Sequence, residues 1–378
     1  MSGQSSGTLN WRVVGRRDFL RTSMKLGTTA ATSIWLPGCA RLGAQWSPAS
    51  HPASDTLRWG MADESTTNRC DVRTDTESAA WTEQEVSLQG LHGTLTMPGQ
   101  AGSAPAVLIL AGSGPVDRDG NLPNLRSDAL KMLAQQLAEQ GIASLRIDKR
   151  GIGQSLAGTT SEADLRFDTY VTDAVAWLDF LRSQPRIADV FLLGHSEGAL
   201  VATRAAQRSE PSGLVLIAGA SLPAPQLIEQ QLSAANVDPA LFKRVHEINA
   251  ALTRGNTVAD VPAELTALYR PSAQAYLISW FALDPTKELQ RTRCPALIVQ
   301  GTTDLQVTVE DAQRLARSMP AAQLDLIAGM NHVLKLVPEY SATNGDPAAN
   351  FATYDNPQLP LAPSLVPLIA SWIRAVHA

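Results

Sequence analysis

Three side chains in this sequence are spaced along the chain in a way that can build an activated nucleophile. Ser196 lies in GHSEG (Gly194 to Gly198), after the apolar run VFLLG and before the helical ALVATRAAQ. Strand, sharp turn and helix is the setting in which a serine is held strained with its hydroxyl presented, and Gly194 and Gly198 relieve the crowding around it. A hydroxyl is a poor nucleophile at neutral pH, so Ser196 needs a base and a group that orients the base. His332, in GMNHVLK just after AQLDLIAG, is the candidate base. The remaining histidines His51, His92, His246 and His377 read as surface or core residues, and His195 as a residue that shapes the turn. Asp304, just beyond the strand-like PALIVQG, is the candidate orienting acid; Glu310 and Asp311 open the next helix, where acids commonly complement the helix dipole.

Charge that develops on a substrate oxygen requires two N–H donors. One is expected from Glu197, at the start of the helix after the serine. The other is expected from Ser113 in AGSGPVDRDGN (Ala111 to Asn121), where Gly112 lets the backbone come close. Asp117, Arg118 and Asp119 in that loop are expected to form an ion-paired network that fixes it rather than to touch substrate, and the same holds for Asp148 and Arg150 in IDKRGIGQS. The glycines of the latter segment are too few and wrongly spaced for a nucleotide loop.

These residues need a scaffold, and the sequence supplies alternating periods. EVSL and LHGTLTMP, separated by Gln89-Gly90, predict an antiparallel hairpin. Then AVLILAG, a helix with Leu130, Leu133 and Leu137 on one face, IASLRI, a helix over Tyr170 to Leu181, VFLLG, GLVLIAG and PALIVQG follow in turn. Such alternation implies a largely parallel sheet with helices on both faces. The stretch 221–293 carries helical patterns and is far longer than a usual crossover, which suggests an inserted lid beyond the carboxyl ends of the strands.

Taken together, AGSGPVDRDGN, DKRGIGQS, GHSEG, DPTKELQRTRCPALIVQGTTDLQV and GMNHVLK resemble the lid-bearing bacterial carboxylesterases related to serine aminopeptidases, within the α/β-hydrolase superfamily. The resemblance covers residues 82–378, and the chain order Ser, Asp, His is that of the superfamily. It implies an α/β-hydrolase core over 81–220 and 294–378, a helical lid over 221–293, and an acyl-enzyme mechanism on a small-molecule ester of short to medium acyl length, with no cofactor and no metal. A peptidase or amidase of the same fold stays open; it would need an acidic site for a substrate amine, and Glu229, Glu247 and Glu264 are dispersed through the insert. A non-catalytic binding protein is the reading from another class, and the complete set Ser196, Asp304 and His332 argues against it.

Composition agrees with a globular protein and excludes other classes. With 44% hydrophobic and 18% charged residues the chain can bury a core, and a net charge of -5 with scattered Lys and Arg offers no basic stripe for nucleic acid. The first 39 residues differ: GRRDFLR (Gly15 to Arg21) followed by KLGTTAATSIWLPGC resembles a twin-arginine export signal, which implies an exported, periplasmic or membrane-anchored protein of a bacterium. LPGC (Leu36 to Cys39) resembles a lipobox; lipidation of Cys39, which would tether the protein to a membrane, and simple cleavage nearby are both open, Pro37 being unusual there. Residues 40–80, rich in Ser, Thr, Ala and Asp, read as a flexible linker. Maturation leaves Cys70 and Cys294, for which two unpaired thiols is the simpler reading. Mass measurement of protein exported from a bacterial host is expected to show the N-terminus removed; a periplasmic species of full-length mass would sink the export expectation.

Overall fold

The computed structural model describes residues 80–100, 102–156, 161–337 and 347–377. The segments expected to be an export signal and a linker, Cys39 and Cys70 among them, lie outside these residues except for residue 80. Eight strands form one sheet in the order β1-β2-β4-β3-β5-β6-β7-β8. β1 (Trp81–Leu88) and β2 (Leu91–Pro98) make the expected hairpin, turning at Gln89 and Gly90, both with positive φ. β2 is antiparallel to β4 (Ala143–Ile147), whereas β3 (Ala104–Leu110), β4, β5 (Ile187–His195), β6 (Gly213–Ile217), β7 (Ala296–Gly301) and β8 (Gln323–Ile327) pair in parallel.

The continuous apolar runs follow from cover on both faces. Alternate residues of β3 enter two different cores: Val107 and Ile109 pack with α1 (Ala129–Glu139) and the C-terminal helix, while Ala106, Leu108 and Leu110 pack with α2 (Phe167–Arg182) and α3 (Glu197–Ser209). Leu133 and Leu137 of α1 are fully buried, as its stripe predicts. α2 starts a turn earlier than its apolar stripe suggests, because Phe167 is buried and its N–H donates to Ser279 Oγ at 2.8 Å.

Between β6 and β7 the chain builds α4 (Ala224–Ala234), α5 (Pro239–Thr253), the short α6 (Thr266–Tyr269), α7 (Gln274–Phe281) and α8 (Pro285–Leu289). These helices join the core on the side of α2 and α3, through Val245, Ile248, Tyr269 and Leu277. A polar strap fastens them: Arg270 Nε donates to Glu162 Oε2 at 3.0 Å. After β7 come α9 (Val309–Ser318), then β8, α10 (Pro347–Ala352) and α11 (Leu365–His377), which completes the opposite face. Among the described residues no helix is long and apolar enough to cross a membrane.

The loop after β3 is held by charge. Arg118 donates from Nε and Nη2 to Asp148 Oδ2 at 3.0 and 2.8 Å, and its backbone N–H reaches Asp148 Oδ1 at 2.9 Å. Its other arm meets Glu85 at 2.6 Å and Thr94 at 2.9 Å. Asp117 Oδ1 accepts the N–H groups of Asp119 and Asn121, both at 2.9 Å, closing the turn on itself. Arg118 and Asp148 are both buried. Removing one partner of such a pair strands a charge, so Asp148→Ala is expected to lower the unfolding free energy by about 3 to 5 kcal/mol in urea titration. A loss below about 1 kcal/mol would show that Glu85 and Thr94 suffice to hold Arg118.

Candidate active site

Ser196 sits between β5 and α3 with φ 56 and ψ -121, a backbone that a non-glycine residue adopts only under constraint. The constraint is close packing. A Cβ at Gly194 would strike the Gly198 carbonyl, and one at Gly198 would strike the Leu110 carbonyl of β3, so both positions must be glycine. The Ser196 N–H is fixed by Ile217 O of β6 at 2.9 Å. A Cβ at Gly112 would lie 3.0 Å from that of Ser196, which shows how closely the loop after β3 passes the serine. Ser196 is buried at the N-terminus of α3, where unpaired backbone N–H groups attract developing negative charge.

His332 stands on the loop after β8, and its Nδ1 is 2.8 Å from Asp304 Oδ2. With Nδ1 as donor to the carboxylate, Nε2 carries the lone pair that can accept a proton. Asp304, on the turn after β7, also receives the N–H groups of Gln306 at 2.8 Å and Val307 at 3.0 Å, and Gln300 Nε2 at 3.2 Å. Burial opposes the charge on Asp304, but the His332 ring and the two backbone donors outweigh it and hold the carboxyl below the usual range. Asp311 is occupied elsewhere, capping its own helix through Thr308 and receiving the Ser221 hydroxyl at 2.6 Å. The acid chosen from sequence is thus the one that meets His332.

The histidine loop is tied on both sides. Asn331 Nδ2 donates to Thr353 Oγ1 at 2.6 Å, and the fully buried Lys335 donates from Nζ to Ser127 O at 2.8 Å and to Asn356 O. Leu334 has φ 64, a strain that these bonds sustain. The loop reaches the serine turn through His195, whose Nε2 donates to His332 O at 2.8 Å and whose ring centroid lies 4.8 Å from that of His332.

A small apolar pocket opens at Ser196, lined by Glu197, Leu200, Leu222, Leu227, Trp280 and Pro285. Its one carboxylate is already engaged: Tyr276 of α7 donates to Glu197 Oε1, and burial raises the Glu197 carboxyl above its usual range against the opposing Lys149 charge. The dispersed acids of the insert stay away from this pocket. Glu229 meets His246 at 3.2 Å, Glu247 meets Arg244 at 3.1 Å, and Glu264 is exposed. Arg150 pairs with Asp173 at 2.7 Å, whereas Asp148 takes Arg118. Sequence reasoning missed Lys149 and Tyr276. The first adjoins Asp148 at a strand end, which is a usable signal; nothing local marks the second. Among the described residues no group of His, Cys, Asp and Glu could hold a metal ion. Burial pushes the Cys294 thiol up to about 11.

Residues 126–336 match the family model described as serine aminopeptidase, S33, a span that includes Ser196, Asp304 and His332. The chain belongs to this family, and its architecture is that of the α/β hydrolases. It is 30% identical over 239 residues to the esterase EstD of Thermotoga maritima, an alignment that covers 61% of this chain and 54% of that protein. The chain therefore spans about half the length of the curated relative it matches. Among solved structures it is similar to a hypothetical protein from Pseudomonas aeruginosa, with a TM-score of 0.50 and 15% identity over 73% of this chain and 95% of that one. It is also similar to Est1E from Butyrivibrio proteoclasticus, with a TM-score of 0.46 and 17% identity over 71% and 95% of the two chains.

His195 gives a pH dependence that can be measured. Burial, with the neighbouring His332 ring, pushes its pKa down from 6.5 to about 3. The unfolded chain then binds a proton near 6.5 that the native state refuses, so the stability His195 contributes is complete above that pH and is lost as pH falls toward 3. Replacing it by His195→Asn should remove that dependence. Acidification from about pH 6.5 to about pH 5 should cost the variant about 2 kcal/mol less than the wild type in urea titrations. Equal acid slopes for the two proteins would refute the assignment.

Proposed function

We propose that this protein is a serine hydrolase that cleaves carboxylic esters of short to medium acyl length through an acyl-enzyme intermediate, with Ser196 as nucleophile, His332 as general base and acid, and Asp304 as the acid that orients His332. The observation that carries the reading is the Asp304 to His332 hydrogen bond of 2.8 Å on a loop anchored to the strained serine turn through His195. His332 Nε2 takes the proton of Ser196 as Oγ attacks the ester carbonyl. The N–H groups of Ser113 and Glu197 hold the tetrahedral oxyanion, the imidazolium gives its proton to the departing alcohol, and water repeats the sequence to release the acid.

An ester is favoured over a peptide by the chemistry around Ser196. Recognition of a substrate ammonium calls for a free carboxylate at the site, and the pocket offers only Glu197, which Tyr276 engages. The helices α4 to α8 act as a lid in this reading, since Leu227 and Trp280 close the pocket from the insert side. The similarity to an esterase of Thermotoga maritima supports the same reaction class. The Arg16-Arg17 segment and LPGC support a location outside the cytoplasm, with the enzyme released or tethered through Cys39.

Hydrolysis of p-nitrophenyl acyl esters from acetate to long chains, beside aminoacyl p-nitroanilides, tests this. Turnover is expected on the shorter esters, none on the anilides, and Ser196→Ala should lower kcat by roughly 10⁴-fold or more. Anilide cleavage without esterase activity would transfer the assignment to a peptidase.

A further inference from the structure

One half-buried cation against the loop after β3 takes part in none of the steps above. Lys149 follows Asp148 past the end of β4, and its Nζ donates to the carbonyl oxygens of Gly112 and Gly114, the latter at 2.9 Å. These two carbonyls flank Ser113. The carbonyl of Gly112 and the N–H of Ser113 belong to one planar trans peptide unit, in which they point in opposite directions. A side chain that grips the first therefore sets the direction of the second.

The Lys149 charge is also felt by the Glu197 carboxylate, whose residue supplies the other proposed donor. Burial lowers the Lys149 pKa and raises that of Glu197, each opposed by the charge of the other. Tyr276 donates to the same carboxylate from the insert, and the Tyr170 ring lies 6.0 Å from Lys149 Nζ. The ammonium is thus held against the loop after β3, with two backbone carbonyls as its hydrogen-bond partners.

We propose that Lys149 is a positioning residue for the oxyanion hole: by holding the Gly112 and Gly114 carbonyls, it aims the Ser113 N–H at the reacting carbonyl oxygen. This rests on the esterase reading above. A residue with that task matters little when a flat ester binds and greatly once the oxygen carries charge.

The test compares wild type, Lys149→Met and Lys149→Arg on the best p-nitrophenyl ester, together with inhibition by a trifluoromethyl ketone, whose adduct with a serine carries the same oxyanion. Lys149→Met is expected to lower kcat by about 10- to 100-fold with KM within about twofold, and to raise the ketone Ki by a similar factor. Lys149→Arg, which keeps a cationic donor, should recover part of both. Unchanged kcat, or a fall in kcat with ketone affinity intact, would overturn the proposal. Should Lys149→Met fail to fold, Lys149→Gln decides by the same two readouts, because it stays polar but ends one bond short of the carbonyls. A wild type that hydrolyses no ester sinks the functional reading itself; an active wild type matched by the variants sinks only the role of Lys149.

Discussion

Helix α3 approaches β3 so closely that a methyl group at Gly198 would overlap the Leu110 carbonyl, and the placement of the other candidate groups follows from this contact. It brings the N-terminus of a helix to the point where the loop after β3 begins, beside the serine. It also forces the chain to turn within one residue, which leaves Ser196 at φ 56, a conformation that costs about 1 to 3 kcal/mol for a side-chain-bearing residue. The neighbouring strand retains that strain through the Ser196 N–H to Ile217 O hydrogen bond, and the sheet core around Leu192, Leu193, Leu216 and Ile217 resists its release. A turn of this kind cannot relax without unpairing β5 from β6.

Around that turn, charged side chains fasten the loops. Lys335 and Lys149 both direct an ammonium at backbone carbonyls, the first tying the His332 loop to Ser127 and Asn356, the second holding the loop after β3. Arg118 does the same work through Asp148. Burying such groups is unfavourable unless their hydrogen bonds are satisfied, and satisfying them requires the loops to adopt one geometry. Segments that would otherwise be mobile surface connections are thereby given the definition of core elements, as a site that must place donors to within a fraction of an ångström demands.

Which features could be read from the sequence follows the range of the interactions involved. The hairpin, the parallel strands and the α1 stripe of Leu130, Leu133 and Leu137 were legible because period and burial are local consequences of cover on one face or two. Gly194, Ser196 and Gly198 were legible for a related reason: the steric demand of the turn acts within five residues. Asp304 and His332 could be chosen by their positions after strands β7 and β8, and the observed hydrogen bond between them joins residues that only the sheet order brings together. Tyr276 was not legible, because its contact with Glu197 depends on how the inserted helices pack on α2 and α3, and an amphipathic stripe does not encode which tyrosine faces a carboxylate. The early start of α2 was missed for the same reason, since Phe167 is held by Ser279 of the insert.

The insert therefore bears directly on the site. It contributes Leu227 and Trp280 to the pocket at Ser196 and, through Tyr276, occupies the one carboxylate there. A carboxylate with its proton affinity raised by burial would disfavour an adjacent oxyanion whenever it is charged and unpaired, because like charges in a dry pocket repel strongly. The phenolic donor of Tyr276 and the charge of Lys149 oppose that penalty without removing it, since burial still holds the carboxyl above its usual range. Under the proposed reaction, substrate choice then falls to the shape of the acyl group against Leu222, Leu227 and Trp280, while the charge that develops during the reaction is left to the backbone donors on either side of the serine.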